Sequence, residues 1–136
     1  MRLFVFALLL ALSLGAFATG LDDGDVVDQV FINPANGKPA LALSVDKPVE
    51  SPEVEEQLDY KLGTYIGFVR SGDLYKRYTK ASPGQPVLIA FSFEYPPSPR
   101  VKAMLFRMRE RLIEMGFEVW LRVYDEAKKR NVDIEP

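Results

Sequence analysis

Apolar and polar residues recur along this chain with two different periods, and the changes of period mark its elements. Val26 to Ile32 is rich in β-branched and aromatic residues and predicts a strand. Asn33-Pro34-Ala35-Asn36-Gly37-Lys38 follows as a turn, because proline and Asn-Gly supply the dihedrals of a tight reversal. Leu41, Leu43 and Val45 then alternate with Ala40, Ala42 and Ser44, which is the period of a strand with one buried face. The two strands form a hairpin. Ser51-Pro52-Glu53 has the chemistry of a helix start: a capping serine, a proline at the first position and an acid at the positive end of the dipole. Val54, Leu58, Leu62, Tyr65, Ile66 and Val69 follow at helical spacing, and Ser71-Gly72 ends the run. Asp73 to Tyr78 reads as one further helical turn, and Thr79 to Pro86 as a loop.

The period returns to two where Val87, Ile89, Phe91, Phe93 and Tyr95 alternate with Leu88, Ala90, Ser92 and Glu94. Pro96-Pro97 stops this strand, and Ser98-Pro99 repeats the helix start. Val101, Met104, Leu105, Met108, Leu112 and Met115 make an apolar stripe, with Arg100, Lys102, Arg107, Arg109 and Arg111 largely off it. Gly116 closes the helix. Phe117, Val119, Leu121 and Val123 alternate with Glu118, Trp120, Arg122 and Tyr124 in a last strand, and Asp125 to Pro136 is charged and expected to fray. The order ββαβαβ, with right-handed crossovers, predicts an α+β, two-layer α/β sandwich. It has a four-stranded mixed sheet with both helices on one face. The strand order is left open.

Ahead of this domain, Met1-Arg2 is followed by an apolar run from Leu3 to Ala18, broken only by Ser13 and Gly15. One positive charge, a greasy stretch and the small residues Ala16 and Ala18 have the three parts of a secretory signal peptide, with cleavage before Thr19. A spanning helix needs about 20 apolar residues, and this run is shorter. Residues 1–18 are therefore expected to be removed, leaving 19–136 as one domain with loose ends at about 19–25 and 126–136, in a periplasmic or secreted location. The sequence has no cysteine and no histidine. That closes disulfides, Cys-His and Ser-His nucleophilic schemes and the usual zinc sites. Seventeen Lys and Arg against nineteen Asp and Glu give no basic footprint for a nucleic acid. No cofactor or metal is implied.

Several segments taken together resemble an uncharacterised family of short bacterial α/β proteins. They are Asp25-Val26-Val27-Asp28, Ile32-Asn33-Pro34 with Gly37, Tyr65 to Tyr75 with Tyr78, Phe93-Glu94-Tyr95-Pro96-Pro97, and Met115-Gly116-Phe117. Phe68-Val69-Arg70-Ser71-Gly72-Asp73-Leu74-Tyr75 is the most specific of them. The resemblance runs from about Asp25 to Val123 and implies an α/β domain without an assigned activity. Members of the family are mostly short chains without an export segment, and this chain departs from that pattern.

Five groups of residues are candidates for function. Glu94, Trp120, Arg122 and Tyr124, with Ser92, share the strand phase that faces away from the helices and could anchor a partner, or could pack on each other and on the charged tail. Asp22, Asp23, Asp25 and Asp28 do not match a calcium loop and read as a solvated leader. Gly63 and Gly67 suggest close packing of the first helix on the sheet. Arg100, Arg107 and Arg111 could meet an acidic partner or anionic lipid, but read better as a solvated face supported by Glu110 and Glu114. Of Tyr60, Tyr65, Tyr75 and Tyr78, the last two could line a groove where the first helix ends, or could equally close the core edge with their hydroxyls in water. The reading that fits best is a non-enzymatic binding protein of inhibitor or immunity type, partnered by an envelope or toxin protein. Its rivals are a glycan hydrolase using Glu94 and Glu118 as paired carboxylates, which must lie about 5–10 Å apart, and a structural envelope component.

Overall fold

The computed structural model describes residues 20–136. The expected signal segment, with Ala16, Ala18 and Thr19, lies outside the described residues. Among the described residues, five strands and three helices form two layers: β1 (Gln29–Ile32), β2 (Pro39–Val45), α1 (Pro52–Arg70), α2 (Asp73–Arg77), β3 (Leu88–Phe93), α3 (Pro99–Glu114), β4 (Glu118–Asp125) and β5 (Arg130–Asp133). The strands lie in chain order, β1 to β5, with β2, β3 and β4 parallel and the two outer strands antiparallel to their neighbours. Both crossovers step the same way along the sheet. Two right-handed crossovers in one direction put both long helices on the same face, as the alternation implies.

Local chemistry sets the boundaries. The hairpin turns at Asn33–Lys38, where Asn33 N–H donates to the Lys38 carbonyl at 2.9 Å. Gly37 takes a left-handed φ of 75° there, and its carbonyl accepts from Ser82 N–H at 2.8 Å. Ser51 and Ser98 cap α1 and α3, each side-chain oxygen accepting a backbone N–H three residues on at 3.3 Å. At the end of α3, Gly116 has φ 98°. Gly116 N–H reaches the Ile113 carbonyl and Phe117 N–H reaches that of Leu112, both at 3.0 Å. That pair of bonds is a Schellman motif, and it turns the chain straight into β4.

The core lies between the helices and one sheet face. Leu41, Leu43 and Val45 of β2 meet Ile89, Phe91 and Phe93 of β3 in register, and Leu121 of β4 continues the row. Leu58, Leu62 and Tyr65 of α1 cover them, with Val101, Leu105, Met108 and Leu112 of α3. Among the described residues no helix is long and apolar enough to cross a membrane.

Three expectations need correction. The tail does not simply fray: Arg130–Asp133 pairs with β4, Val132 opposite Val123, and Ile134 beyond it is buried with its N–H on the Leu121 carbonyl at 2.9 Å. The sheet therefore has five strands rather than four. The leader is not loose either, since Leu21 is 1% exposed in a short 3-10 turn, Gly20–Asp22. Lastly, Gly63 and Gly67 do not face the sheet. Both are exposed, and a Cβ built on either meets nothing within 4 Å.

Candidate functional site

Strand register determines which side chains share the uncovered sheet face. Ala42, Ala90 and Trp120 form one row across β2, β3 and β4, and Ser44, Ser92, Arg122 and Asp133 form the next. Small side chains, Ala42, Ser44, Ala90 and Ser92, fill the middle rows of this face; Leu88 of β3 and Phe31 of β1 stand in the row beyond them, and Trp120, Arg122 and Tyr124 on β4. The Arg122 guanidinium lies over the Trp120 ring, 3.9 Å from its centroid. Its Nε donates to Asp133 Oδ1 of β5 at 3.1 Å. A cation stacked on an indole and anchored by a carboxylate fixes the ring in one orientation. Tyr124, two residues further along β4, is 40% exposed.

Three of the four singled-out residues thus come together on β4, and the charged tail joins them through Asp133. Glu94 sits just past the end of β3, exposed, with its N–H on the Val45 carbonyl at 3.0 Å. The hydrolase pairing of Glu94 with Glu118 is not formed. Glu118 lies opposite Leu88 at the start of β3, six residues before Glu94. At about 3.3 Å per residue the two carboxylates are roughly 20 Å apart, and Glu118 is ion-paired with Lys38.

On the other side of the sheet a buried polar cluster holds the leader down. The side chains of Lys61 and Asp28 are both fully buried, with Nζ 2.6 Å from Oδ1. Lys61 also donates to the carbonyls of Gly20 and Asp23, the latter at 3.1 Å. Asp28 accepts from Ser44 N–H at 3.4 Å. The Tyr65 hydroxyl takes the Asp28 N–H at 2.9 Å and donates to the Ala42 carbonyl at 2.6 Å. Burial, reinforced by the Asp28 charge, pushes the Tyr65 phenol well above its ordinary pKa. Outside this cluster, Asp22 pairs with Lys47 at 2.7 Å and Tyr60 donates to Asp25 at 2.6 Å. These acidic residues are therefore ties to α1 and β2, where a solvated leader was expected. Lys61 gave no signal in the sequence beyond being a lysine on the apolar stripe of a helix.

Among the described residues, two concavities stand out. One runs between α1 and α3, in two contiguous parts of about 380 and 270 Å³ that share Asp59, Met108 and Arg111. The other, about 450 Å³, lies at the far end of α1 between Arg70, Tyr75, the Pro83–Pro86 loop and Met115–Phe117. Tyr75 lines this cleft and also packs against the edge of the core, so it shows both of the roles left open for it. Tyr78 instead meets Phe68 edge to face, with centroids 6.5 Å apart.

The model of a family of unknown function, DUF6572, matches residues 20–125. The chain belongs to DUF6572. The DUF6572 match opens at Gly20, where the Lys61 cluster begins, and closes at Asp125, the last residue of β4. Strand β5, with the Asp133 that anchors Arg122, lies beyond the matched span. Two segments that carry the resemblance, Val69 to Tyr75 and Met115 to Phe117, face each other across the 450 Å³ cleft. No curated protein and no solved structure matches the chain.

Proposed function

We propose that this DUF6572 domain is exported and works as a non-enzymatic binding protein, of inhibitor or immunity type, for an envelope or toxin protein. The observation that carries the reading is Trp120 held under Arg122 beside the small residues Ala90 and Ser92 of the uncovered sheet face, with exposed Tyr124 next to it. Tryptophan, arginine and tyrosine dominate the energetics of protein interfaces because each gives a large contact area with a polar handle. A locked indole also loses little side-chain entropy on binding. Export rests on the Leu3–Ala18 run with its Ala16-Phe17-Ala18 end, and on a family match that opens just past the expected cut.

Two measurements test this reading. The intact mass of the native protein from the envelope or extracellular fraction should correspond to a chain starting at Thr19; retention of Met1 in a cytosolic product would remove the export half. A partner co-purified from producing cells should be lost with the double variant Trp120→Ala/Arg122→Ala. The complex should bury roughly 1,200 Å² or more. Circular dichroism would first establish that the double variant is folded. Undiminished recovery of the partner with the folded double variant would remove the binding half.

A further inference from the structure

The groove between α1 and α3 has an apolar floor and banks of opposite charge. Leu58, Leu62, Met104, Met108 and Met115 lie along its floor. The α1 bank carries Glu55, Glu56 and Asp59; on α3, Arg111 lines the groove, and Arg100 and exposed Arg107 lie on the same helix, with Glu110 and Glu114 as its acids. At one end the banks are tied together by Arg100 and Glu55. That hydrogen-bonded contact holds the Glu55 carboxyl below its ordinary pKa. Further along the banks do not meet. Asp59 and Arg111 line the same groove, yet among the described residues neither forms an ion pair, and nor do Glu56 and Arg107. Exposed Gly63 leaves the α1 bank low beside Asp59.

We infer that this helical face is the interface of a two-fold homodimer, in which the α1 bank of one copy lies on the α3 bank of the other. The occupant is a second copy because the face is complementary to itself. Both helices follow parallel strands through right-handed crossovers, so they run in the same direction. A two-fold axis parallel to them sets acidic α1 over basic α3 twice, once from each side. An axis across them would set α1 on α1 and α3 on α3, with like charges opposed. Isologous contacts of the first kind are the commonest route to a closed dimer. At 19 and 16 residues, the two helices are about 28 and 24 Å long and roughly 10 Å across each. Side by side they present about 500 Å² in projection, which side-chain relief brings towards the roughly 800 Å² per partner of a stable interface. The open sheet faces, with Trp120 and Arg122, are left outward on both copies.

The test is sedimentation equilibrium on the native protein, with Asp59→Arg and Arg111→Asp as separate variants checked for fold by circular dichroism. The wild type is expected to be dimeric at about 100 μM, a concentration well above a micromolar Kd. Each variant opposes like charges twice and is expected to weaken the dimer tenfold or more. An equimolar mixture of the two variants restores both contacts, because each introduced charge then faces its opposite on the other chain. The double variant Asp59→Arg/Arg111→Asp restores them within a single species. A monomeric wild type at that concentration overturns the inference. So do folded single variants that dimerise as tightly as wild type, and a mixture no tighter than its components.

Discussion

Replacing Lys61 with methionine keeps the length of the side chain and removes its charge. The ammonium is fully buried and supplies three hydrogen bonds, to Asp28 Oδ1, Asp23 O and Gly20 O. Without it the Asp28 carboxylate keeps only the long 3.4 Å bond from Ser44 N–H. Breaking one side of a buried ion pair costs about 3–5 kcal/mol, most of it the desolvation of the charge left behind. The chain has an escape, which is to peel the leader from α1 and let water reach Asp28. Peeling exposes Leu21, at about 1.5–3 kcal/mol for its side chain, and also gives up the Tyr60–Asp25 and Lys47–Asp22 contacts at the surface. The ranges of the two routes meet at about 3 kcal/mol, which is the expected loss. That is a large share of the roughly 5–15 kcal/mol that stabilises a typical domain. Urea denaturation followed by the fluorescence of Trp120, the single tryptophan, measures it. Limited proteolysis should show residues 20–28 cut before the rest. Replacing both members, Lys61→Met with Asp28→Leu, should recover most of the loss, because no charge is then left buried. A loss below about 1 kcal/mol for Lys61→Met, or a double variant no more stable than the single, would refute the reasoning.

Three further outcomes follow from the same structure. Gly37→Ala should destabilise by about 1–2 kcal/mol for its left-handed backbone alone, and by more because the new Cβ would stand 2.9 Å from the Lys80 carbonyl; urea midpoints measure the change. Ile134→Ala should cost about 2–4 kcal/mol in the same assay if β5 truly closes the core edge, whereas a frayed tail would leave stability unchanged. Tyr65 sets an alkaline limit. Its folded phenol titrates above the unfolded value of about 10, so its contribution is complete below that pH and is lost as pH rises, since the unfolded chain sheds the proton first. Stability should fall by up to about 1.4 kcal/mol per pH unit from this group. Tyr65→Phe should start lower, by about 1–3 kcal/mol for the unpaired Asp28 N–H and Ala42 C=O, yet fall less steeply above about pH 10; equal slopes would contradict this.

Much of the fold was legible because single segments announced it. Leu41 to Val45 and Phe117 to Tyr124 alternate cleanly, and Ser51-Pro52 and Ser98-Pro99 mark helix starts that the caps reproduce. Strand β5 was hidden because Arg130-Asn131-Val132-Asp133 has one apolar residue and no alternation to read. Its preceding turn uses Lys129 at φ 53° where a glycine would have signalled it. The leader was misread for a different reason. Asp22, Asp23 and Asp25 look like solvated acids, and only the tertiary fold brings Lys61, Tyr60 and Lys47 to them. Gly63 and Gly67 were read as contacts with the sheet, but helical phase alone does not show which side of a half-buried helix is open. At the sheet face, the side on which Trp120, Arg122 and Tyr124 stand followed from strand phase. The pairing of Arg122 with Asp133 could not, because it depends on β5. The Glu94–Glu118 pairing failed on register, which a sequence without a fixed strand alignment does not supply.

The binding role of the sheet face is tested most directly by a photo-crosslinking residue placed at Tyr124 in the producing cell, with the same residue at exposed Ile113 on the helical layer as a control. A discrete heterologous adduct from position 124, absent from position 113 and abolished by Trp120→Ala in a folded chain, is the predicted result. No adduct at 124, or one indifferent to Trp120, would contradict the account.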